Sequence, residues 1–117
     1  MYGVPANLDL TFLHNALLIQ VCLSQTQVQF HFSPVGSVSV EGGWELLDHA
    51  GDCIDRQHDW PRPPFQLHRL LGQRVVDSEV SAPEWFCLRF ESGEALKVFD
   101  DSTQFESFSI QPGNIYV

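Results

Sequence analysis

Seven side chains of metal-binding type crowd the middle of the chain: His49, Asp52, Cys53, Asp55, His58 and Asp59, followed by His68. A tetrahedral zinc site needs three or four such ligands, usually as close pairs on both sides of a spacer. Here Cys53 stands alone and the histidines fall nine and ten residues apart. A solvated acidic loop is therefore the expectation, and no metal or other cofactor is assigned. A nucleophilic cysteine would need an electropositive, partly exposed setting to hold its thiolate. Cys22 and Cys87 instead lie in the apolar runs "LLIQVCL" and "WFCLRF", and Cys53 sits between Asp52 and Asp55, whose charges oppose thiolate formation.

A further acidic group, Asp100 and Asp101, opens "DDSTQFESFSI". Glycosidases use paired carboxylates held at a defined separation across a cleft, which neighbouring residues at a strand end cannot supply because their side chains diverge. The expected role of these acids is to close a turn by accepting backbone N–H groups. The turn would shape a rim, with Phe105 or Phe108 pinning it to the core. The sequence contains no GxSxG elbow, P-loop, GxGxxG or HExxH, so the motif-borne chemistries are absent and no catalysis is expected.

The elements that position these residues are mostly strands. "LDLTFL" (8 to 13) alternates weakly, and His14-Asn15 would turn it into a first hairpin with Leu17, Ile19, Val21 and Leu23 on one face. Val28, Phe30 and Phe32 repeat the pattern, as do Val38 and Val40, then Trp44 and Leu46 beyond a Gly42-Gly43 turn or bulge. Periodicity vanishes from Asp48 to Pro64, where Gly51, Pro61, Pro63 and Pro64 predict a long surface loop. "PFQLHRLLG" carries a helical signature, with proline at its opening and Gly72 as its stop, and predicts a two-turn helix near 64–71. "RVVDSEV" resumes extended structure. "WFCLRFESGEALKVF" is a hairpin turning at Ser92-Gly93. The expected fold is β-dominated α+β, with an antiparallel sheet of roughly seven or eight short strands and one short helix, in a single domain over 1–117.

Fifteen acidic residues against six basic ones give a formal charge of −9. Nucleic-acid binding, whose affinity comes largely from Lys and Arg at phosphates, is excluded on this ground, and a cationic surface is attracted instead. Three scattered cysteines make no disulfide framework, which fits a reducing cytoplasm. No window approaches the roughly 20 apolar residues of a membrane helix, so no membrane partner is expected. Trp60, flanked by Asp59 and Pro61 in the aperiodic stretch, has the character either of an interface anchor or of a plug that folds the loop back onto the core.

"LHRLLGQRV" together with "LRFESGEALKVFDDSTQFESFSI" and the closing "IYV" resembles a set of small bacterial proteins found among candidate immunity proteins of polymorphic-toxin and contact-dependent competition systems. The likeness lies mainly in residues 67 to 117 and implies no catalytic residue. It implies a cytoplasmic protein that binds and neutralises a cognate toxin, for example a basic nuclease. On that reading Asp52, Asp55, Asp59 and Trp60, with Asp100 and Asp101, form the partner-binding surface, opposing charge with charge around an aromatic anchor. Two other classes fit the composition: a small-molecule or housekeeping binding module, and a homodimeric structural subunit paired through strand edges. The state is thus monomer or homodimer.

Overall fold

The computed structural model describes residues 4, 8–25, 27–58, 61–100, 108–111 and 115–116. The described strands are β1 (Leu17–Leu23), β2 (Val28–Ser33), β3 (Ser37–Val40), β4 (Trp44–Leu47), β5 (Cys53–Arg56), β6 (Val75–Ser81), β7 (Trp85–Phe90), β8 (Ala95–Phe99), β9 (Phe108–Gln111) and β10 (Ile115–Tyr116). They form two five-stranded antiparallel sheets instead of the one expected. The orders are β1-β2-β3-β9-β10 (sheet 1) and β5-β4-β8-β7-β6 (sheet 2).

Alternation builds the core. Val28, Phe30, Phe32, Val38 and Val40 from sheet 1 are buried in one cluster with Trp44, Leu46, Phe86, Leu88, Phe90, Leu96 and Val98 from sheet 2. Successive side chains of a strand point to opposite faces, so each sheet offers every second residue to its partner layer. Burial of each such side chain stabilises the fold by about 1.5–3 kcal/mol. The predicted run from Val38 through Leu46 keeps its alternation, but the chain changes sheet across Glu41–Gly43: β3 pairs with β2 and β9, whereas β4 pairs with β8 and β5.

Three expectations are corrected. Residues 8–13 contain no strand; Thr11–Leu13 is a 3-10 turn. Its start is tied by Asp9, which accepts bonds from the Thr11 N–H and hydroxyl at 2.9 and 2.6 Å, an Asx turn that draws the chain out of extended geometry. The turn at His14-Asn15 does occur, with Asn15 at φ 69°. In β1 Leu18 is inward in place of Leu17 and Ile19, while Val21 packs against the core as expected, because the pairing register slips between Leu18 and Gln20. Ile19 is the extra residue of a bulge and is 55% exposed, and a one-residue slip moves the alternation to the other face.

The predicted two-turn helix is a single 3-10 turn, Leu67–Leu70. Pro64 and Gly72 (φ 81°) leave too few residues between them for a helix to repay its nucleation. Residues three apart eclipse in a 3-10 turn, which drives both Leu67 and Leu70 into the core. The chain that follows this turn stitches the two sheets along one seam. Leu18 donates to Gln73 O and accepts from Gly72 N, while Val75 donates to Ala16 O. No helix among the described residues is long and apolar enough to cross a membrane.

Candidate functional site: the clamped edge of sheet 2

The expected long loop contains a strand. β5 pairs with β4 through Glu45–Arg56, Leu46–Asp55 and Leu47–Cys53, with a register shift that leaves Ile54 as a bulge. The hairpin turn is organised by Asp48, whose carboxylate accepts the Ala50 and Asp52 N–H groups at 2.9 Å each. These backbone bonds, that from Asp52 first, hold the Asp48 carboxyl below the usual carboxylate range.

Asp55 lies opposite the core residue Leu46 and therefore points inward from an edge strand, a placement that blunts the edge against pairing with another chain. Its burial requires a partner. Arg62 Nη2 donates to Asp55 Oδ1 at 2.8 Å, and the two side chains are only 1% and 4% exposed. The other carboxylate oxygen accepts the Gln66 N–H at 2.8 Å, and Oδ1 also accepts the Arg56 N–H. The guanidinium further donates to Pro63 O and Arg56 O and sits 3.6 Å above the Phe65 ring centroid and 5.7 Å from that of Trp44. Those two rings stack at 6.1 Å, and the Trp44 indole donates to Gln57 Oε1 at 3.0 Å. One charge pair, two aromatics and two amide residues thus fasten the chain on either side of His58–Pro61 to β4 and β5.

Two grooves flank Arg56. One, of ≈ 450 Å³, is lined by Glu41, Glu45, Gln57 and Phe99 as well as Arg56. The other, of ≈ 310 Å³, includes Cys53, His58, Pro63 and Pro64. Across the outer face the register sets Arg56 beside Glu45 and Glu45 beside Lys97. The Lys97 ammonium in turn lies 4.2 Å from the Trp85 ring centroid and 5.5 Å from that of Phe99.

Of the predicted partner-binding residues, Asp52 is exposed at the β4–β5 turn. Asp55 is a correction: it is buried in the ion pair with Arg62 and presents no surface. Asp100 is half-buried at the end of β8, where its N–H donates to Glu84 O at 2.9 Å. Asp59, Trp60 and Asp101 lie outside the described residues, as does the rest of the turn expected between Asp101 and Ser107. Among the potential ligands, His49, Cys53 and His68 are exposed at separate places, and no three His, Cys, Asp or Glu side chains among the described residues are grouped as a metal site. Cys87 is buried, which pushes its thiol pKa up; Cys22 is only half-buried.

Sequence reasoning missed Arg62, Gln57 and Glu94. Glu94 is buried beside the β7–β8 turn, where Oε1 accepts from Gln73 Nε2 and the Ser92 hydroxyl at 3.1 Å each, and Oε2 lies 2.9 Å from Arg69 Nε. The available signal was Arg62 itself, a cation among prolines close to Trp60 and Phe65 in a strongly acidic chain. No protein-family model, no curated protein and no solved structure matches the chain.

Proposed function

We infer that the protein is a binding protein of the immunity type, which neutralises a basic protein toxin by presenting a pre-shaped acidic surface around the β4–β5 edge. The observation that carries this reading is the Asp55–Arg62 clamp. A segment fastened by a buried pair and two stacked rings loses little freedom on binding, and preorganisation of that kind converts into affinity. The acids flanking it supply the charge complementarity. Glu45 already lies between Arg56 and Lys97 in register, so Glu41 at the groove and Asp52 at the turn oppose the partner's cations. Trp60 supplies the desolvated anchor.

The partner to test is the protein encoded beside this chain's gene, titrated by calorimetry at low and high salt. Glu41→Gln with Asp52→Asn should weaken binding tenfold or more at low salt, an order of magnitude typical of rim charges acting mainly on association, and salt should weaken the native complex. Trp60→Ala should cost more than either neutralisation. Equal affinity for the native protein, the neutralised variant and the Trp60 variant would remove the surface from consideration.

A further inference from the structure

Residues 10 to 40 contain no Asp, Glu, Lys or Arg, in a chain of formal charge −9. This stretch supplies β1, β2 and β3, and the sequences of β9 (FSIQ) and β10 (IY) add no charge. Every strand of sheet 1 is therefore free of formally charged side chains. The strands of sheet 2 hold Glu45, Arg56, Asp77, Glu79, Arg89 and Lys97, besides the buried Asp55.

The outward positions of sheet 1 are those that alternate with its core residues. They form two rows across the strands, Gln20–His31–Ser37 and Cys22–Gln29–Ser39. Gln29 Oε1 accepts from His31 Nε2 at 3.3 Å, and Gln29 Nε2 donates to Gln27 Oε1 at 3.0 Å. Beside this face the bulged Ile19 and, in the β2–β3 turn, Val35 are 55% and 51% exposed.

We propose that the outer face of sheet 1 is a self-association surface, on which a second copy of this chain docks by two-fold symmetry. The occupant follows from the charge distribution. A second copy also carries −9 and is repelled wherever acidic surfaces meet, which leaves the charge-free sheet as the face of closest approach. A two-fold contact sets the same patch against itself. Amides and hydroxyls satisfy that condition because each both donates and accepts, whereas charges of one sign repel. Burying such groups with their bonds made also avoids the cost of desolvating ions. A charged partner would gain nothing here.

The size of the face sets the strength. Strands of seven, six, four, four and two residues, at about 3.3 Å per residue and about 4.8 Å apart, offer about 360 Å² per copy, or about 700 Å² in all, the range of a weak, transient contact. The dimer is accordingly reversible and concentration-dependent. It leaves the β4–β5 edge on the opposite layer, so it is independent of the toxin-binding reading.

Sedimentation velocity over a dilution series tests it. The native chain should pass from one chain mass to two as concentration rises, and high salt should favour the dimer by screening the repulsion, the opposite of its effect on an acid-to-base complex. Gln29→Glu with Ser39→Glu should remain at one chain mass throughout, while Glu79→Gln on sheet 2 should still dimerise. A second measurement uses the unaltered chain: acylation of half-buried His31 should slow as concentration rises, while that of exposed His49 and His68 stays constant. A native chain that stays monomeric at high concentration and high salt would overturn the proposal. So would a dimer that survives the double substitution, or one in which His31 labelling is unchanged.

Discussion

Arg62→Met offers the sharpest test of how this structure is held. Two ion pairs among the described residues have nearly equal length, Arg62–Asp55 at 2.8 Å and Arg69–Glu94 at 2.9 Å, and differ in burial. The Arg62 side chain is 1% exposed and that of Arg69 45%. Removing one partner of a buried pair strands the other charge and costs about 3–5 kcal/mol, whereas an exposed pair is worth about 0–1 kcal/mol. The lower part of the first range applies, because Asp55 would still accept the Arg56 and Gln66 N–H groups, which are worth more to a carboxylate than to a neutral oxygen. Loss of the guanidinium from above Phe65 adds to the cost, on the order of 1 kcal/mol. Arg62→Met should therefore destabilise by about 3–4 kcal/mol. With an unfolding entropy near 2 cal/mol/K per residue, this corresponds to a fall in Tm of about 12–16 °C. Arg69→Met leaves the buried Glu94 Oε2 without its cation, but water reaches the pair through an arginine that is 45% exposed, so it should cost about 1–2 kcal/mol, a fall in Tm of about 4–8 °C. Urea unfolding monitored by tryptophan fluorescence gives both values, and the Arg62→Met/Asp55→Asn double variant should cost less than the sum of its singles by about 2 kcal/mol. If Arg62→Met costs no more than Arg69→Met, the clamp is not buried in solution and the account of the edge is wrong.

Other consequences can be measured on the same material. Gly93→Ala places a Cβ 3.0 Å from the His49 Cβ at a φ of 93°, and the added strain should destabilise the chain by about 1–3 kcal/mol in chemical unfolding, unlike an alanine at an ordinary turn glycine. Toward a thiol reagent at pH 8, exposed Cys53 should react first and half-buried Cys22 next. Cys87, whose pKa burial raises, should stay unmodified until the protein is unfolded. Asp48 has a depressed folded-state pKa, so its stabilisation of the β4–β5 turn is complete above the unfolded-state pKa and disappears as pH falls through the folded value. A carbon-detected NMR titration of its carboxyl should give a midpoint below that of exposed acids elsewhere, and Asp48→Asn should abolish the acid-induced change in the Ala50 and Asp52 amide shifts.

What could be read along the chain was what repeats along the chain. β2, β3, β4 and the β7–β8 hairpin alternate with period two, and the residues expected inward, from Val28 to Val98, are buried. The phase of β1 was illegible because a single bulged residue, Ile19, inverts the faces without leaving a compositional mark. β5 was missed for a related reason: it is an edge strand whose one inward residue is an aspartate, so "CIDR" shows no apolar alternation. The exposure of Asp52 followed from its acidic turn. The burial of Asp55 did not, since it depends on an arginine seven residues away.

The amino-acid order by itself determined that this chain forms antiparallel strands with a net acidic charge, because side-chain period and charge are local, additive properties. Only the tertiary structure decided which strands share a sheet, where the run from Val38 to Leu46 crosses between layers, and that Asp55 turns inward to meet Arg62. Those outcomes depend on contacts between residues distant in sequence, where the desolvation of a charge is tolerable only if its partner arrives in the same place.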